Sequence, residues 1–290
     1  MNYLLHPSIL FALLSLFFAG INDVVFKRYS LRSDSRGIYI FGIGVIWTLL
    51  QIISLAIRGQ MPMGGVVTIL YGAIAGIVLV SSNILLLESL TGIDVSLGSM
   101  IYRLNTIGVV FLSVLFLNEP LGILKSSGIV IGTIAVLVLY QGNGSGDSGQ
   151  ANPAIFFGLA VAASLMRALY GVVSKAGLSA NADSQTMILM IAVSWIVGGL
   201  LYAGLRERSL NINLRQITYS FLSGSLVFLI VSFLMTAIQH GEASIAIPVA
   251  NMSFVIALLL SVYMKMETLS VKKFFAMTLA VAAIVLLVNV

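Results

Sequence analysis

Residues Ser96 to Lys125 read SLGSMIYRLNTIGVVFLSVLFLNEPLGILK, and the pattern returns 148 residues later as Ser244 to Lys273, SIAIPVANMSFVIALLLSVYMKMETLSVKK. Ser96 falls on Ser244, Glu119 on Glu267, Leu121 on Leu269 and Lys125 on Lys273. The same offset places Lys27 on Lys175, Trp47 on Trp195, Arg58 on Arg206, Tyr71 on Tyr219, Gly76 on Gly224 and Ala135 on Ala283. Two apolar sequences share Leu, Val and Ile by chance, but not Trp, Lys, Arg and Glu at one spacing. The chain is therefore a duplicated unit, and its fold must be two copies of one design. One charged position breaks the match: Arg103 falls on Asn251.

Each unit is built for lipid. Of 290 residues, 59% are apolar and 9% charged, where soluble chains carry about 25% charged residues, and the mean hydropathy is +1.09. Apolar runs near the bilayer-crossing length of roughly 20 residues recur from end to end, at about 7–28, 37–57, 65–89, 95–117, 121–140, 154–175, 185–205, 216–238, 243–264 and 271–289. Backbone polar groups in lipid must pair within their own segment, so helices are expected. The fold class is an all-α integral membrane protein of ten transmembrane helices.

Residues 141–152, QGNGSGDSGQAN, form a linker, which separates a first five-helix unit (1–140) from a second (153–290). An odd number of spans per unit sends the second copy into the membrane from the opposite face. Such inverted repeats carry a substrate site near mid-membrane in many secondary transporters. The first span is read as retained rather than as a cleaved signal, because no basic residue precedes its apolar run.

The net charge of +5 sits at the ends of apolar runs, which speaks for membrane topology and against nucleic acid. Ten basic residues (Lys27, Arg28, Arg32, Arg36, Arg206, Arg208, Arg215, Lys265, Lys272 and Lys273) fall on one side. Arg58, Lys125 and Lys175 fall on the side of the termini. Counted this way, the termini lie outside the cytoplasm. No cysteine is present, and His6 and His240 have no metal-ligand spacing. No cofactor or metal is expected, and no catalytic motif points to an enzyme.

Ionisable groups inside spans are the functional candidates, since each is costly unless it faces a cavity or a partner. Arg103 leads. With Ser96, Ser99 and Thr106 it forms a polar stripe at helical spacing, suited to fixing a carboxylate or phosphate. A structural arginine, paired with a buried acid or helix-end carbonyls, would look the same. Arg167 shares a face with Tyr170, Ser174 and Lys175, and it either joins the site or snorkels to the interface. Asp23, beside Asn22, is the deepest acid. It is a possible proton carrier or partner to an arginine, and Lys27 at i+4 offers it a local pair. Pro248 can free a carbonyl next to Asn251. Trp47 and Trp195 read as packing, Asn83 and Glu88 as weaker candidates. The Gly72-x3-Gly76 and Gly128-x3-Gly132 pairs read as helix-packing scaffold.

The doubled five-span unit, the lysines closing spans one and six (Lys27, Lys175), and the turns Glu119-Pro120-Leu121 and Glu267-Thr268-Leu269 together resemble the drug/metabolite transporter superfamily, in its ten-span EamA-type branch. The resemblance covers the whole chain. It implies export or exchange of small metabolites, including amino acids, without ATP, in a multi-pass protein of the cell (inner) membrane. It also implies cytoplasmic termini, against the charge count. The related small multidrug resistance proteins carry a membrane glutamate eight residues before the lysine that ends their first span. Ala19 and Arg167 stand at those positions here, which disfavours cationic drug–proton antiport.

The expectation is a secondary transporter of small polar metabolites working by alternating access. Arg103, Arg167, Asp23, Asn22, Ser99, Tyr170 and Asn251 would contact substrate, with a proton as possible coupling ion and lipid as surroundings. Arg103 would hold the anionic group, and Asp23 would pair with an arginine and be exchanged for substrate. Organic-anion or sugar-phosphate exchange, cationic drug efflux, and a lipid-handling or assembly role without a solute path are the alternatives. Both repeats lie in one chain, so a monomer suffices, and a homodimer is compatible.

Overall fold

The computed structural model describes residues 6–30, 35–62, 64–89, 101–138, 153–208, 210–265 and 270–290, and the regular structure among them is entirely helical. The helices are α1 (Pro7–Ser30), α2 (Arg36–Ile57), α3 (Val66–Ser89), α4 (Asn105–Leu117), α5 (Ile123–Val138), α6 (Pro153–Ser179), α7 (Ser184–Tyr202), α8 (Leu214–His240), α9 (Ala243–Asn251), α10 (Phe254–Tyr263) and α11 (Val271–Val288). A π-helical turn, Ala203–Glu207, extends α7. Among the described residues eight spans are long and apolar enough to cross a membrane, with α9 and α10 together forming one, and Ile101–Leu117 and Ile123–Val138 are shorter apolar helices. Large apolar side chains such as Ile53, Phe111, Phe116 and Leu165 are exposed, as a lipid-facing surface requires. The expected linker and the second turn motif, Glu267-Thr268-Leu269, lie outside the described residues.

Punctuation in the sequence sets the helix ends. Asn118 takes the left-handed conformation, φ 53°, that closes α4 ahead of Glu119-Pro120. Asn213 and Gln216 form a reciprocal capping box at the start of α8. Ser35 caps α2 by accepting from the Ile38 N–H, and the Glu207 carboxylate accepts from the Arg36 and Gly37 N–H groups at 2.8 and 3.2 Å. A residue of the second repeat thus finishes a helix of the first.

Packing runs between repeats. Helices α1 and α8, α3 and α6, α2 and α7, and α5 and α11 form the main pairs, joined by α2 with α8 and α3 with α7. Exchanging the repeats turns α1–α8 into α6–α3 and α2–α8 into α7–α3, and maps α2–α7 and α5–α11 onto themselves. This is the signature of a two-fold relation. Along α2 and α7, Gly199 meets Phe41, Trp47 meets Trp195, and Gln51 meets Gln185. The order is antiparallel, so the repeats are inverted.

The same relation fixes single contacts, with the roles exchanged. Ser15 on α1 donates to the Ile230 carbonyl on α8 at 3.0 Å. At the matching place Ser82 on α3 donates to the Ala163 carbonyl on α6 at 2.8 Å. Similarly, Gly20 admits Ile256 on one side, and Gly108 admits Ala168 on the other. Each contact needs one serine or one glycine, and the two repeats supply it from opposite partners.

Candidate functional site

Both fourth spans break at the same place. In the second repeat the helix tightens as Met252 and Ser253 donate to the carbonyls three residues back, at 3.1 and 3.3 Å, and Val255 bonds Met252 rather than Asn251. In the first repeat Leu104 bonds Ile101 and Ile107 bonds Leu104, at 3.1 and 3.0 Å, positions that match Met252–Val249 and Val255–Met252. A 3₁₀ turn inside a helix leaves the carbonyl before it without its ordinary partner. Pro248, which has no N–H, loosens the second copy further. In secondary transporters built from inverted repeats, paired interruptions in the two halves are a pointer to the binding site.

Into the second break reaches Arg103. One guanidinium nitrogen donates to the freed Asn251 carbonyl at 2.9 Å and to the Ser253 hydroxyl at 3.2 Å. The other donates to the Asp23 carboxylate at 2.8 Å, and Ser253 donates to the same carboxylate oxygen at 3.1 Å. The guanidinium lies over the Phe254 ring, 5.6 Å from its centre. The Asn251 side chain turns the other way, donating to Asn105 at 2.7 Å and Thr106 at 3.1 Å in the first break. The two interruptions are thereby tied to each other. A cavity of about 10 Å³ adjoins them, lined by Thr106, Thr133, Pro248 and Asn251 among others, which is roughly room for one water.

Arg103 and Asn251 are repeat counterparts, 148 residues apart, and they are bonded to each other. A residue touching its own counterpart lies on the axis relating the copies. Trp47 and Trp195, a second such pair, meet edge to face with ring centres 6.0 Å apart. These two contacts trace the axis through the molecule. They also explain the charged mismatch. Two arginines on the axis would set two guanidinium groups against each other around a single acid, so only one repeat can carry the charge.

Arg167 does not take the interfacial option. It lies at the middle of α6 on the face of Ala163, Tyr170 and Ser174, all buried, while Leu165 and Leu169 face outward. It therefore does not snorkel. Its guanidinium rests over the rings of Tyr102 and Tyr170, 6.0 and 5.6 Å from their centres. Among the described residues it makes no hydrogen bond and no ion pair. The Tyr170 ring beside it is buried. Tyr102 precedes Arg103, so the two arginines flank one turn: Arg103 has its charge met, and Arg167 has not.

The structure thus brings Arg103, Asp23 and Asn251 into one cluster and sets Arg167 with Tyr170 beside Tyr102. Asn22 lies within α1 next to Asp23, its side-chain oxygen buried and without a partner among the described residues. Ser96 and Ser99 lie outside the described residues. Asn83 bonds its own helix through the Leu79 carbonyl. Glu88 joins Tyr202 and Arg206 at helix ends, at 2.7 and 3.0 Å, away from the centre. Ser253, Phe254 and Tyr102 were not legible as site residues; their one sequence signal is adjacency to Asn251 and Arg103.

Of the residues that carried the family resemblance, Glu119 and Lys175 build scaffold. The Glu119 carboxylate, 7% exposed, accepts from the Ala243 and Ser244 N–H groups at 2.8 and 2.9 Å, capping α9 from across the repeat boundary. Buried Lys125 binds Glu242, the Ser244 hydroxyl and the Pro120 carbonyl. Lys175 donates to the Ile238 and Gly241 carbonyls at 2.8 and 2.7 Å, at the C-terminal end of α8, where a cation meets the helix dipole.

Comparison with known proteins agrees with this architecture. The model of the EamA-like transporter family matches residues 6–141 and again 154–289, two stretches displaced by the 148 residues of the repeat. Among curated proteins no sequence matches. One solved structure, described only as the crystal structure of a protein, superposes with a TM-score of 0.81 at 14% identity, over 96% of this chain and 95% of its own. That likeness speaks for the fold. With both halves matched, the chain belongs to the EamA-like transporter family.

Proposed function

We propose that the protein is a secondary transporter that moves small polar metabolites bearing a carboxylate, amino acids among them, by alternating access about the Arg103–Asn251 axis. The observation that carries the substrate class is Arg167. A guanidinium has five donors. Holding it at mid-span without an acceptor is costly unless it faces water or a ligand. A carboxylate entering beside Tyr102 and Tyr170 meets a cation that has no acid partner among the described residues. Arg103, already bonded to Asp23, supplies the central charge pair around which the two repeats exchange conformations. An inverted repeat has two related states, one open to each side, and a ligand that binds both is carried across as they interconvert.

One observation favours a second reading: the cavity beside Arg103 has room for about one water. An assembly or lipid-handling factor without a solute path would be packed in this way. Counterflow in proteoliposomes separates the two. Vesicles loaded with an amino acid or small organic acid should accumulate the labelled compound transiently, and Arg167→Gln should abolish that accumulation while Arg206→Gln, at a helix end, leaves it intact. Absence of counterflow across amino acids, carboxylates and phosphorylated anions would favour the packed-factor reading.

A further inference from the structure

The surroundings of the Arg103 guanidinium have the composition of a monovalent-cation site. Three oxygens from two spans converge on it: the Asp23 carboxylate of α1, and from the broken α9–α10 span the Asn251 backbone carbonyl and the Ser253 hydroxyl. The carbonyl is available because the 3₁₀ turn sends Val255 to Met252 instead. It also sits at the C-terminal end of a half-helix, where the backbone dipole favours positive charge. Unwound carbonyls and half-helix C-termini are the groups that hold coupling cations in broken-helix transporters. A carboxylate of unit charge completes a set matched to one positive charge. The Phe254 ring face closes the cluster from another side, and ring faces attract cations.

We infer that Arg103 is a tethered cation: its guanidinium fills an oxygen-lined site that would otherwise take an alkali ion, and the protein works without one there. Of the two roles left open for Arg103, structural partner or ligand holder, this arrangement takes the first. Charge neutrality at the axis is built into the covalent chain, so no alkali ion need bind beside the Asp23 carboxylate. A tethered cation also cannot leave with the substrate, and this site contributes no co-transported ion to the cycle. The Asn251 position supports the assignment. Its side chain is drawn away to Asn105 and Thr106, which leaves the backbone carbonyl to face the charge.

The inference makes a test on the emptied site. Arg103→Ala removes the guanidinium and joins its volume to the adjoining cavity lined by Thr106, Thr133 and Pro248, leaving Asp23, Ser253 and the Asn251 carbonyl around vacant space. Purified Arg103→Ala protein is melted in mildly alkaline buffer with N-methylglucamine chloride, then with sodium, potassium or lithium chloride, or with low-millimolar guanidinium chloride, at matched ionic strength. The expected result is a rise in Tm of several degrees with guanidinium or one of the alkali ions, which is lost in Asp23→Asn/Arg103→Ala. A folded Arg103→Ala protein indifferent to all of these ions overturns the inference, as does a response that survives the loss of Asp23.

Should the variant not fold, the unaltered protein decides. Its Tm is expected to be the same in sodium, potassium and N-methylglucamine salts, and a selective dependence on one alkali ion overturns the proposal. These melting measurements need no substrate, so they stand apart from the transport reading. The transport arm rests on that reading: counterflow by the unaltered protein should proceed at the same rate with alkali ions replaced, and an alkali-ion requirement would contradict the tethered cation.

Discussion

Separating Arg103 from Asp23 should cost more than deleting two independent side chains. Unit charges about 4 Å apart at an effective dielectric of about 20 interact by about 4 kcal/mol. The two side chains retain 23% and 38% exposure, and solvent screening reduces the coupling, to an order of about 2 kcal/mol. Asp23→Asn leaves Arg103 with the Asn251 carbonyl and Ser253 but no counter-charge. Arg103→Gln leaves Asp23 with Ser253 alone. Each single variant is expected to lose about 2–3 kcal/mol, between an exposed pair and a buried one. The double variant should lose about 2 kcal/mol less than the sum of the singles. Thermal unfolding of the four purified proteins in one detergent gives the cycle. Additive losses, within roughly 0.5 kcal/mol, would refute the pair as the central electrostatic contact.

Three further expectations follow from named contacts. Asn251→Arg places a second guanidinium on the axis, at a repulsion of about 3 kcal/mol for roughly 5 Å separation; it should lower Tm well below that of Asn251→Gln, and equal stability of the two would remove the explanation given for the mismatch. Glu119→Ala strips the acceptors from the start of α9 and should cost about 3 kcal/mol, with Glu119→Gln milder by about 1–2 kcal/mol because it still accepts hydrogen bonds; a Tm for Glu119→Ala matching the unaltered protein would count against the cross-repeat cap. Gly199→Ala would set a methyl group 2.3 Å from the Phe41 nitrogen and 2.9 Å from the Gly37 carbonyl oxygen, whereas Gly204→Ala meets nothing within 4 Å. The first should lose 3 kcal/mol or more, on the order of severe overpacking, the second almost nothing, and the same melting series compares them.

Much of the fold was legible because the duplication is written in rare residues. Trp47 with Trp195 and Glu119 with Glu267 fix the offset, and an odd span count then dictates inversion. The capping signals at Asn118 and Asn213 act within a few residues, so they too could be read locally. What lies on the axis could not. That Arg103 and Asn251 touch, rather than only correspond, depends on how the two copies dock. The offset marked the charged mismatch, and the docking supplies its reason.

Asp23 shows the limit most clearly. The sequence offered Lys27 at i+4, a local partner that any helix would present. The described partner is Arg103, 80 residues away, because α1 packs against the broken α9–α10 span. The break itself was half legible: Pro248 announces it in the second repeat, while Met100 at the matching position in the first announces nothing. Both copies nevertheless share two 3₁₀ bonds at matching positions, so the docking of the two spans, more than proline, accounts for the geometry. Arg167 was legible as a candidate, but only its packing between two tyrosine rings separates a protein-facing cation from a snorkelling one.

The central claim is that a mid-span guanidinium with no acid partner among the described residues receives the carboxylate of a transported metabolite. The measurement that tests it most directly is counterflow in proteoliposomes loaded with a panel of amino acids and small organic acids, run on the unaltered protein, on Arg167→Gln and on Arg167→Lys. The account predicts accumulation of at least one carboxylate by the unaltered protein, none with Arg167→Gln, and partial accumulation with Arg167→Lys, which keeps the charge but not the planar fork. Equal accumulation by the unaltered protein and Arg167→Gln would contradict it.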